Sequence, residues 1–107
     1  MSSVNDLIAE LIRAANDIDK VGDYEIRRLI KKADAAIRDM RAEVGIPPSP
    51  AARDALIEVY MVGEHLANYS HSQVSAALLD AAGMARDLHI VLASKTRIHL
   101  SNGKPAG

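Results

Sequence analysis

The chain has 107 residues, room for one domain with its own core and too few for two. Hydrophobic residues make up 49% of it, which excludes a disordered chain, and there is no cysteine, which excludes disulfides, thiolate metal sites and cysteine nucleophiles. The formal net charge of −1 gives no global positive field to attract nucleic acid.

No apolar run approaches the ~20 residues that span a bilayer. The opening MSSVNDLIAE lacks the basic patch and apolar stretch of a signal peptide, so the expectation is a cytoplasmic protein. Phe and Trp are absent, leaving Tyr24, Tyr60 and Tyr69 as the aromatics. A core of Ala, Leu, Ile and Val buries little area per residue, and at ~25 cal/mol per Å² it is thin for its length. Part of the stabilising surface is therefore expected between subunits.

Apolar residues recur at helical spacing, predicting an all-α chain with four helices. The first is expected over 4–21, with Ser3 as N-cap and Asp6 closing a capping box. Its stripe is Val4, Leu7, Ile8, Leu11, Ile12, Ala15 and Ile18. The second is expected over 24–44 with Asp23 as N-cap, and its stripe runs from Ile26 through Leu29, Ile30, Ala33, Ile37 and Met40 to Val44. Gly45 stops it, and the proline-rich segment 45–50 links it to the next. The third starts after Ser49 with Pro50 at its first position, where the missing N–H is harmless, and reaches about residue 69. The fourth is expected over 71–96, capped by Ser70 with Gln73 reaching back. Residues 101–107 read as a flexible tail.

The short links GD and SH make two antiparallel hairpins, 4–44 and 50–96, within a single helical domain over 1–100. The predicted architecture is a four-helix bundle, completed or extended by dimerisation. The first two helices have one apolar stripe each, whereas the last two have a second. Ile57 and Met61 point away from the third helix's stripe of Ala52, Leu56, Val59, Gly63 and Leu66. Leu79, Gly83 and Ile90 point away from Val74, Leu78, Ala81, Ala85, Leu88 and Leu92 on the fourth. A helix apolar on two faces is buried on two faces, so these five residues are the candidate contacts of a homodimer.

The histidines have no metal-binding spacing. H-E-x-x-H and E-x-x-H do not occur, and the adjacent Glu64 and His65 point ~100° apart. His71 belongs to a hairpin turn, and His89 to the edge of an apolar stripe. His65 raises phosphotransfer, since histidine-phosphotransfer domains are four-helix bundles of similar length. Those domains follow the phosphoacceptor with Lys at +3 and Gly at +4; here Asn68 and Tyr69 stand there, so the likeness is one of fold class alone. Ser3, Ser49, Ser70 and Ser72 sit at helix starts, where capping explains them, and Asp80 and Asp87 share a solvated face. Nucleotide-binding loops and G-x-S-x-G are absent. No enzyme, cofactor or metal is expected.

The second helix carries Arg27, Lys31 and Arg38 on one side, which could track phosphates together with a basic tail of Lys95, Arg97, His99 and Lys104. Asp34 interrupts that side, and Glu25, Asp39 and Glu43 interleave with the other cations, the pattern of a solvated face. The favoured expectation is a small interaction module, a dimeric adaptor, regulator or accessory subunit with a protein partner. A nucleic-acid-associated regulator is the alternative.

Overall fold

The starts of three of the α-helices are set by a serine side chain that accepts from one of the first backbone N–H groups. A computed structural model describes residues 3–103, with side chains for 3–94. The Asp6 N–H donates to Ser3 Oγ at 3.1 Å and the Ser3 N–H to Asp6 Oδ2 at 3.3 Å, the capping box that opens α1, Val4–Asn16. Ser70 and Gln73 repeat it at 3.1 and 2.9 Å to open α4, His71–Gly103. Ser49 Oγ accepts from the Ala52 N–H at 3.2 Å, and Pro50 begins α3, Pro50–Glu64.

The start of α2, Asp23–Val44, differs from the sequence expectation. Gly22 is the N-cap and makes no side-chain bond, while Asp23 is the first helical residue. A carboxylate there still favours the positive end of the helix dipole. Gly45 ends α2 in the left-handed conformation at φ 77°, where a Cβ would be strained.

The first helix of each pair is shorter than its apolar stripe. α1 ends at Asn16 and tightens into a 3₁₀ turn, Ile18–Lys20; α3 ends at Glu64 and does the same over Leu66–Asn68. The stripe continues because Ile18 and Leu66 still pack on the core from those turns. α4, in contrast, runs to Gly103, beyond the expected end at 96 and through the first residues expected to form the tail. Lys95, Arg97 and His99 have side chains outside those described, and Lys104 lies outside the described residues.

Four α-helices and no strand are present among the described residues, and the helices pack into a compact body. α4 lies against all three others and most extensively against α1. Its sequence accounts for this. Ala77, Leu78, Ala81, Ala82 and Ala85 are all buried, and at ~100° per residue the arc from Ala77 to Ala82 spans about 140°. Alanines over so wide an arc let neighbours approach from several sides. The α1–α4 register is marked by Ser75 Oγ, which donates to the Ala15 carbonyl at 2.8 Å, and by the His71–Asp19 contact at 2.5 Å.

The core consists of Leu, Ile, Val, Ala and Met; Tyr69 only borders it. Among the described residues, no polar side chain is buried. At the α1–α2 edge Arg28 pairs with Glu25 at 2.6 Å and Glu10 at 3.4 Å, and its guanidinium holds the Glu25 carboxyl below the usual range. Arg41 donates to the Ala52 carbonyl at 3.0 Å, tying the end of α2 to the first turn of α3 across the linker.

Candidate interaction surfaces

The histidine-rich corner resolves into structural roles. His65 is the C-cap of α3, not a residue on its outer face: its N–H donates to the Met61 and Val62 carbonyls at 3.0 and 3.3 Å. The ring is exposed at a chain corner rather than on the helical platform that phosphotransfer uses. His71 faces Asp19 across the corner between the hairpins, both well exposed. Glu64 sits beside Tyr60 and pushes that phenol's pKa up. His89 is half-buried on α4. Among the described residues, no three His, Asp or Glu side chains could share a metal ion. No helix of these residues is long and apolar enough to cross a membrane.

The five apolar candidates face solvent. Ile57 is 52% exposed, Met61 43%, Leu79 44% and Ile90 55%. They fall on two separate ridges. Ile57 and Met61 are one turn apart on α3, opposite Leu56, Val59 and Gly63, which are buried. Leu79, Gly83 and Ile90 share the side of α4 turned away from the core. The two glycines differ in kind. A Cβ on Gly63 would lie 2.9 Å from Ile30 Cγ2, so α3 approaches α2 closely there, whereas a Cβ on Gly83 would meet nothing within 4 Å.

Ile12 joins the α4 ridge, although its spacing placed it in the core stripe of α1. It is 40% exposed on the side of α1 that carries Ala15. One turn from the Ser75–Ala15 bond on each antiparallel helix come Leu79 and Ile12, which flank the same seam.

Between the two ridges runs a trough of about 220 Å³ along the α3–α4 seam. Its floor is Ala55, Val59 and Val62 from α3 with Ala76 and Ala77 from α4. Glu58 rims one side; Asp80 and Gln73 rim the other. The sequence reading set Asp80 on a solvated face with Asp87 and drew no link from it to Glu58. The available signal was hairpin register: counting outward from the turn at 65–70 sets Glu58 opposite Ala77 and Asp80 opposite Ala55, so both carboxylates fall on the α3–α4 seam about one turn apart.

Three other grooves mix both signs. The α1–α2 cleft sets Arg13 and Lys20 among Glu10, Asp17 and Glu25. The α2–α3 cleft sets Arg27 and Lys31 beside Glu64 and Tyr60. An apolar groove of about 380 Å³ at the linker, with Ile46, Pro47, Met84 and Val91, carries Arg41 and Asp87. The cationic side of α2 is thus partly engaged within the chain. Arg38 Nε donates to both Asp34 oxygens at 3.1 and 3.0 Å, and Arg27 and Lys31 neighbour an acid.

No family model, curated protein or solved structure matches the chain.

Proposed function

We propose that the chain is a small protein–protein interaction module, a dimeric adaptor, regulator or accessory subunit, whose two hairpins pack as one four-helix bundle. The observation that carries this reading is the pair of exposed aliphatic ridges on α3 and α4. Fully burying a Leu, Ile or Met side chain is worth about 1.5–3 kcal/mol, so burying the exposed part of several of them is a substantial driving force. The α4 ridge suits self-association about a two-fold axis: Leu79, Ile90 and the neighbouring Ile12 supply the apolar area, and Gly83 leaves room for close approach.

Light scattering at micromolar concentration tests this. The expected mass is twice 11.5 kDa. Gly83→Glu and Leu79→Glu should shift it towards the monomer, and Ala35→Glu on the exposed side of α2 should not. A wild-type monomer, or equal effects of all three variants, overturns the dimer.

A further inference from the structure

The α3–α4 trough is the one described groove whose carboxylates have no cation beside them. Its lining contains Glu58 and Asp80 and no Lys, Arg or His, whereas the other three grooves each set cations against acids. Neither carboxylate has an ion-pair partner among the described residues. Asp54, exposed one turn before Glu58, extends the negative rim. The floor beneath is apolar and shallow because its side chains are Ala and Val.

We propose that this trough docks a cationic amphipathic helix of another protein, its Lys or Arg heads reaching Glu58 and Asp80 and its small apolar side chains lying on the alanine and valine floor. The inference rests on the reading of the chain as an interaction module. Charge selects the partner's sign, since acids on both rims attract cations and repel an acidic segment. The floor selects its backbone. An extended strand laid on Ala and Val would leave backbone N–H and C=O groups unpaired, whereas a helix satisfies its own. The long stems of Lys and Arg can lie along the floor while their heads reach the rims. Two adjacent helices form a straight groove, and small side chains permit axis separations of about 8–10 Å to a third.

A second copy of the chain fits this trough poorly. Two-fold pairing through it would set Glu58 and Asp80 against themselves. The cationic side of α2 has Arg38 held by Asp34, and Arg27 and Lys31 already border Glu64.

The test titrates the full chain into a fluorescent helical peptide of Ala, Leu and Lys, and into its counterpart with Glu for Lys, reading anisotropy. Saturable binding of the lysine peptide alone is expected. Glu58→Lys and Asp80→Lys should each weaken it roughly tenfold, while the charge-matched Asp39→Lys on α2 changes it less than about twofold. Equal loss in all three variants, or no saturation, overturns the proposal. Light scattering of Glu58→Lys separates the two readings. A mass unchanged from wild type leaves the trough to another protein, and a fall from dimer to monomer assigns it to a second copy and overturns the proposal. A wild-type monomer that still binds the lysine peptide at the trough would remove the dimer and leave this inference standing.

Discussion

Gly63 stands in the last turn of α3 and Gly83 in the interior of α4, where a glycine costs about 1 kcal/mol relative to Ala. Their surroundings separate them. Gly63 faces Ile30, which is 1% exposed and β-branched, so an added methyl has little room to displace it. Gly63→Ala should lose about 1 kcal/mol in a urea melt, overpacking of about 1–3 kcal/mol outweighing the gain in helix propensity. Gly83→Ala should gain up to about 1 kcal/mol in the folded monomer, because its Cβ enters open space. A melt that orders the two the other way would contradict the packing described. Periodicity placed Gly63 in the main stripe of the third helix and Gly83 on the second face of the fourth, and the contact geometry shows that only Gly63 makes a close approach within the chain. Ile12 teaches the converse. Its period fits the core stripe, but it lies at the stripe's edge, where the angular width of the neighbouring helix decides burial and periodicity does not.

At the scale of elements, capping chemistry was the most legible signal. Ser3, Ser49 and Ser70 cap as their spacing implies, because the bonds involved are local to four residues. Ser70→Ala should therefore fray the start of α4 and cost about 1 kcal/mol, lowering the melting temperature by roughly 4–8 °C in calorimetry. The ends of α1 and α3 were not legible. Ile18 and Leu66 keep the helical period while sitting in 3₁₀ turns, so the apolar pattern does not register the tightening. α4 was underestimated for the opposite reason: its apolar stripe fades while its helix continues. The trough was illegible from either helix alone, since Glu58 and Asp80 come to line one groove only through hairpin register, which depends on where the turn begins.

At the scale of the molecule, the decisive feature is that the last helix is the hub. α4 contacts the three others, and the most extensive pairing joins α1 to α4, the two ends of the described chain. Until α4 is in place, α1 has only α2 to pack on, and α2 has only α1 and α3. A fragment of residues 1–48 should accordingly show little cooperative helix by circular dichroism alone. It should gain structure on mixing with 49–107, the linker being the natural break. Cooperative melting of 1–48 by itself would contradict a hub role for α4. The same placement has a consequence during synthesis. A chain emerging from the ribosome exposes the stripes of its first hairpin for as long as α4 is unfinished, so its exposure to aggregation and proteolysis lasts until α4 has emerged.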